Sequence, residues 1–134
     1  MSYNHLFRIS AHAVITDDHQ NILLLKQSYG GGKWGLPGGS PEPLETIQAT
    51  LIRECDEELN CAIKIKYLSG IYYHQKHNSY VFIFRCSLAK GSVIQLSSEH
   101  SAYRFRSIDE LDNVQRQRVK DCLDYKGEVK GAVF

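Results

Sequence analysis

Between Pro43 and Asn60 the chain reads PLETIQATLIRECDEELN, and the reading of this stretch decides the fold. Leu44, Ile47, Leu51, Ile52, Cys55 and Leu59 recur at three- and four-residue spacing, the period of a helix with one apolar face. Pro41 and Pro43 stand at its start, where a missing N–H costs little. Asn60 stands at its end, where asparagine tolerates the left-handed backbone of a helix exit. The spacing predicts a helix from about Pro43 to Leu59.

Working upstream, residues 27–41 hold six glycines and two prolines, which argues against regular structure and for a functional loop. Before it, the apolar runs Phe7–Ile15 and Ile22–Leu25 flank the polar cluster Asp17-Asp18-His19-Gln20-Asn21 and read as a β-hairpin. Downstream, Ile63–Tyr73 and Ser79–Leu88 are rich in β-branched and aromatic residues and read as strands. Val93–Leu96 and Tyr103–Phe105 are short strand candidates. A weak helix at Ile108–Leu111 precedes a stronger one near Val114–Tyr125, and the tail GAVF has no assignment. Strands interleaved with one central and one C-terminal helix predict an α/β layer fold.

Composition narrows the function classes. The chain has 134 residues, enough for a single domain, with 43% hydrophobic and 23% charged residues. Sixteen Lys and Arg against fifteen Asp and Glu give a net charge of +1, which excludes a DNA-coating protein by composition. No apolar run approaches the roughly 20 residues of a membrane span, and the start MSYNHLFRIS lacks the features of a secretory signal. No C-x-x-C pair occurs among Cys55, Cys61, Cys86 and Cys122. They read as reduced, structural thiols of a soluble, cytoplasmic protein.

The acidic face of the central helix carries the chemistry. Glu54, Glu57 and Glu58 fall within an arc of about 100°, and Glu54 and Glu58 border the apolar stripe. Like charges at that spacing, half-buried near a helix C-terminus, repel one another and oppose the helix dipole. A hard divalent cation, Mg²⁺ or Mn²⁺, offsets such repulsion with oxygen ligands. Taken alone, such a cluster is more often a solvated face on which Arg53 pairs with Glu57, and the fragment by itself carries no functional claim.

From Gly39 onward the pattern is G-x5-Glu45-x7-Arg53-Glu54-Cys55-x-Glu57-Glu58-x-Asn60-Cys61, preceded by Trp34-Gly35-Leu36-Pro37-Gly38. This stretch, residues 39–61, resembles the Nudix box, G-x5-E-x7-R-E-U-x-E-E-x-G-U with U a bulky apolar residue. Asn60 replaces the family's glycine, and Cys55 and Cys61 replace aliphatic residues, but every carboxylate is retained. The resemblance implies a single-domain Nudix-type α/β/α sandwich with a mixed β-sheet over residues 1–134. It also implies a Mg²⁺- or Mn²⁺-dependent hydrolase that cuts a diphosphate bond in a nucleoside diphosphate linked to another moiety. Glu54, Glu57 and Glu58, with the backbone carbonyl of Gly38, would be the metal ligands, oriented by Arg53 and Glu45. Which glutamate is the base stays open.

Many family members add an acidic residue from a later loop, and Glu99 stands where the resemblance would place it. Lys26, Lys33 and Arg8 are candidates for binding phosphate, and Trp34 for stacking a base or bracing the loop. The crowd of Tyr72, Tyr73, His74, His77 and Tyr80 fits either base stacking or sheet packing. Neither a P-loop nor a G-x-G-x-x-G site is present. Lys76 and Asn78 occupy the positions where some subfamilies carry a diagnostic proline or tyrosine. Nucleoside triphosphates, nucleotide sugars, ADP-ribose, dinucleotides and capped RNA ends therefore all stay open as small-molecule or terminal substrates. A non-catalytic nucleotide-sensing module is the alternative. Prenyl diphosphate isomerisation does not fit, because no cysteine sits in an electropositive setting. The oligomeric state is not encoded in any feature read here, and a homodimer is compatible with all of them.

Overall fold

Two β-sheets of different connectivity stand side by side, each hydrophobic on both faces, and a helix covers each face. The computed structural model describes residues 4–134. The strands are β1 (Arg8–Val14), β2 (Ile22–Gln27), β3 (Trp34–Gly35), β4 (Gly38–Gly39), β5 (Ile63–His74), β6 (Ser79–Leu88) and β7 (His100–Arg106). The helices are α1 (Ile47–Leu59) and α2 (Asn113–Leu123). The larger sheet has the order β4-β1-β6-β5, with β1 and β6 parallel and the other pairs antiparallel, so it is mixed. The smaller sheet, β3-β2-β7, is antiparallel throughout.

Strand periodicity explains the two cores. Along Ile22-Leu23-Leu24-Leu25, Leu23 and Leu25 join Ala11, Ala13, Phe84 and Cys86 beneath Leu51, Cys55 and Leu59 of α1. Ile22 and Leu24 point the other way and join Val14, Val81 and Ile83 against Val119 and Cys122 of α2. The expected α/β/α sandwich with a mixed sheet is what this packing produces. All four cysteines are buried free thiols, Cys55, Cys61 and Cys86 on the α1 side and Cys122 on the α2 side.

Several expectations need correction. The Phe7–Ile15 and Ile22–Leu25 runs are not a full hairpin. Only the turn is paired, through the Thr16–Ile22 bridge and Leu23 N–H to Ile15 O at 2.9 Å. The strands then diverge into different sheets, because each is buried on both faces and takes separate lateral partners. The glycine-rich segment is not wholly irregular: β3 pairs with β2, and β4 pairs with β1. Helix α1 starts at Ile47 rather than Pro43, since Leu44 has φ +70° and is fully exposed, while the Thr46 hydroxyl caps Ala49 N–H at 3.0 Å. The exit at Asn60, with φ +54°, is as expected.

Val93–Leu96 forms no strand. That segment runs past the end of α1, where Gln95 N–H donates to Leu59 O at 2.9 Å and Ser97 N–H to Glu58 O at 3.4 Å. It satisfies carbonyls that the helix end leaves open. At the other side of the molecule, Ile108–Glu110 is a single 3₁₀ turn, and the tail runs along β5 through the Gly70–Lys130 and Tyr73–Val133 bridges. No helix among the described residues is long and apolar enough to cross a membrane.

Candidate active site

The turn before α1 is built around one carboxylate. Glu45 accepts from Glu42 N–H at 2.8 Å, from the Thr50 hydroxyl at 3.0 Å and from Arg53 through both Nε at 2.7 Å and Nη2 at 3.0 Å. The Arg53 fork, with two hydrogen bonds and unit charge, holds the Glu45 carboxyl down at about 2. The same guanidinium donates from Nη1 to Glu54 at 2.9 Å and to Glu57 at 3.3 Å, and from Nη2 to Ser40 O at 3.1 Å. Arg53 thus fixes three of the five sequence-predicted glutamates, Glu45, Glu54 and Glu57, around one group. Its own pKa is raised, first by the Glu45 hydrogen bonds.

Two glycines let β4 meet α1. Gly38 N–H donates to Glu58 Oε1 at 2.8 Å, and a side chain at Gly38 would strike Ala11 O of the paired strand at 2.0 Å. At Gly39 an added Cβ would lie 2.4 Å from Cδ of Glu54, so the absence of a side chain there is what seats that carboxylate. Glu58 is 5% exposed. Burial pushes it up to about 8, with Glu54, Glu99 and Glu57 adding like charge against the pull of the Gly38 N–H. Burial also raises Glu54, opposed by Arg53 and reinforced by Glu57 and Glu99.

Glu99 therefore belongs electrostatically to the cluster, although it is exposed and sits on the loop before β7. The β7 edge also brings in a residue the sequence reading missed. His100 Nε2 lies 3.4 Å from Glu58 Oε2, and burial lowers its pKa. Its Nδ1 is buried without a partner. Its position directly after Glu99 is the one sequence signal that pointed to it.

The donor set suits a hard cation in chemistry. It consists of crowded carboxylate oxygens, two with pKa values raised by burial and mutual repulsion, with a glycine cradle that leaves room for them. Among the described residues no three His, Cys, Asp or Glu side chains form a closed ligand group. Arg53 pairs with Glu54 and Glu57, while Gly38 N–H donates to Glu58 Oε1 and His100 Nε2 faces its Oε2.

The basic and aromatic candidates separate into two clefts. One, of about 690 Å³, is walled by Arg8, Ser10, His12, Lys33, Ser40, His74, His77 and Arg118 among others. It abuts the carboxylates at Ser40, the residue whose carbonyl accepts from Arg53. His12, half-buried there with its ring nitrogens 3.3 Å from Leu36 O and 3.1 Å from Ser10 Oγ, is lowered to about 4 by desolvation and the Arg118 charge. The other cleft, of about 410 Å³, is lined by Lys33, Trp34, Arg106 and Glu110.

Trp34 has the Arg106 and Arg104 guanidinium carbons 4.9 and 5.6 Å from its ring centroid, so cations already occupy its ring. Lys26 lines neither cleft, and its Cε would lie 2.8 Å from a Cβ added at Gly32. Glu54, Glu57, Glu58 and Glu99 line neither cleft. Tyr72 is fully buried and donates to Asp121 at 2.9 Å, while Tyr73, Tyr80 and Phe7 form an aromatic cluster. Sheet packing thus accounts for Tyr72, while Tyr80 stays exposed.

With this geometry in hand, the comparisons with known proteins fall into place. Residues 6–123 match the model of the NUDIX domain family. Diphosphoinositol polyphosphate phosphohydrolase 2 of Mus musculus is 33% identical over 70 residues, 51% of this chain and 39% of that protein. The 8-oxo-dGTP diphosphatase of Proteus vulgaris is 40% identical over 52 residues, 37% of this chain and 46% of that protein. In both cases the matched stretch spans less than half the length of the curated relative. A crystal structure of an ADP-ribose pyrophosphatase from Streptococcus suis 89-1591 shares the fold with a TM-score of 0.78 at 23% identity, covering 95% of this chain and all of the other. Matched over most of its length by the family model, and folded around the box glutamates as described, the chain belongs to the NUDIX domain family.

Proposed function

We propose that the protein is a Nudix pyrophosphohydrolase that cuts a diphosphate bond in a nucleoside diphosphate linked to another moiety, with Mg²⁺ or Mn²⁺ as its cofactor. The observation that carries this reading is the single constellation around Arg53. The guanidinium grips Glu45 and reaches Glu54 and Glu57, while Gly38 and Gly39 seat Glu58 and Glu54. The relatives' names share a diphosphate as the bond or group acted on. Residues 1–134 are read as one domain, and the buried free thiols suit a reducing cytoplasmic setting.

Glu54, Glu57 and Glu58 would hold the divalent ion, together with the Gly38 carbonyl. Bound there, the ion supplies charge neutralisation on the phosphate oxygens and a lowered pKa for a coordinated water. The rest of the work falls to the chain. Arg53, anchored by Glu45, fixes the rotamers of Glu54 and Glu57. Glu58 Oε1 accepts from Gly38 N–H and Oε2 lies beside His100 Nε2, and the buried carboxyl, pushed up to about 8, would have to give up its proton to serve as a ligand. Glu99 adds a carboxylate from the β7 side, and Lys33 and Arg8 present cations along the adjoining cleft.

The experiment is phosphate or monophosphate release from a panel of nucleoside triphosphates, nucleotide sugars, ADP-ribose and dinucleoside polyphosphates. Each is run with Mg²⁺, with Mn²⁺ and with chelator. Metal-dependent turnover of one class above the others is expected. Folded protein that binds nucleotide but turns over no member would instead make this a sensing module.

A further inference from the structure

Arg118, on α2, is 9% exposed, and no carboxylate among the described residues lies within ion-pair distance of it. Its Nη2 donates to Gln115 Oε1 at 2.6 Å, its Nη1 faces His74 Nε2 at 3.3 Å, and its Nε is buried with no acceptor. Burial lowers its pKa and the Asp112 charge, beyond ion-pair distance, opposes this, so a guanidinium whose hydrogen-bond partners are all neutral is unfavourable unless an anion completes it. What remains accessible of Arg118 opens into the 690 Å³ cleft, which also presents Arg8, Lys33, His74 and His77. The acidic side chain there, Asp112, is turned to α2, where it caps Gln115 N–H at 2.9 Å. Three permanent cations thus face one carboxylate already engaged.

The geometry points to an oxyanion subsite: we infer that the Arg118 cleft takes a phosphoryl group of the substrate other than the diphosphate that is cut. It rests on the hydrolase reading above. The substrate class follows as a nucleoside diphosphate derivative bearing an additional phosphate ester. The planar fork of arginine matches phosphate oxygens, and the cleft joins the carboxylate site at Ser40, so one molecule can reach both.

The test compares compounds that differ by one phosphomonoester, NADPH against NADH and coenzyme A against dephospho-coenzyme A, on the full chain with divalent ion. Wild type is expected to favour the phosphorylated member of at least one pair tenfold or more in kcat/KM, mainly through KM. Arg118→Met abolishes that preference and Arg118→Lys keeps part of it. Equal kcat/KM within both pairs, or a preference that survives in folded Arg118→Met, overturns the inference. If Arg118→Met does not fold, Arg118→Gln, which removes the charge and keeps a polar side chain, takes its place with the same criteria. Calorimetric titration with inorganic phosphate in chelator reads the subsite without turnover. Tenfold weaker binding in Arg118→Met supports it even where no compound is hydrolysed, which would sink only the hydrolase reading. Phosphate binding indifferent to Arg118, in a protein that does hydrolyse the panel, sinks only the subsite.

Discussion

Glu58→Gln should make the metal-free protein more stable while removing its activity. Glu58 titrates at about 8 in the fold against an ordinary 4.5, chiefly because it is buried. Between those values the folded state keeps a proton that the unfolded state has released, so wild-type stability falls as pH rises through that window. At about 1.4 kcal/mol per pH unit, full ionisation carries a ceiling of about 5 kcal/mol. Local relaxation and water entry lower this, and about 2 kcal/mol is expected at pH 8. Glutamine preserves the shape: its amide oxygen accepts from Gly38 N–H and its amide nitrogen faces His100 Nε2. For a chain of this size the gain corresponds to a Tm about 6–8 °C higher.

The assay is thermal denaturation of both proteins in chelator from pH 4.5 to 8.5. Other titrating groups cancel in the difference, so the gap should open from near zero at the acid end and widen toward pH 8. Adding Mg²⁺ should then stabilise wild type but not the variant, narrowing the gap. A variant less stable than wild type throughout, or a gap that does not move with pH, would refute the reasoning about Glu58.

Four further outcomes follow from the same geometry. Gly39→Ala should fold with little loss of Tm, because the atom its Cβ meets is the movable end of Glu54, yet lose at least about tenfold in turnover. Gly38→Ala should instead lose more than about 2 kcal/mol of stability by denaturant titration, since its Cβ meets the backbone oxygen of Ala11 and its φ is +148°. Arg53→Lys keeps the charge but not the fork on Glu45, and steady-state kinetics should show turnover at least about tenfold lower. Glu99→Gln should cut turnover at least about tenfold, roughly 1.4 kcal/mol of barrier, and unchanged kinetics would remove Glu99 from the site.

The carboxylate site was legible in the sequence because its residues are local. Glu45, Arg53, Glu54, Glu57 and Glu58 lie on one turn and one helix, and helical spacing alone brings four of them together. The same periodicity misled at Leu44, an apolar residue in register whose backbone turns left-handed and whose side chain is fully exposed. Lateral strand pairing was not legible. The runs in β1 and β2 are buried on both faces, and nothing local says that their partners are β6 and β7. Val93–Leu96 shows the reverse, a strand-like composition spent on closing the end of α1.

Arg118 was missed for a related reason. In Val114-Gln115-Arg116-Gln117-Arg118 it reads as part of a solvated helix face. Its burial comes from the β5 side, through His74, and from packing shared with Val119 and Cys122. The available signal was position: Gln115, Arg118 and Cys122 follow one another at three and four residues and so share a face. His100 likewise becomes visible as a site residue only once β7 lies beside the end of α1.

On the function proposed above, the glutamates of α1 form a metal-dependent hydrolytic site. The most direct measurement is turnover of the best panel substrate against free Mg²⁺ concentration, for wild type and Glu57→Gln in parallel. Wild type is expected to rise from a baseline near zero in chelator to a saturating rate, with Glu57→Gln at least about a hundredfold lower, roughly 3 kcal/mol of barrier. Turnover that is indifferent to chelator, or equal in the two proteins, would contradict the account.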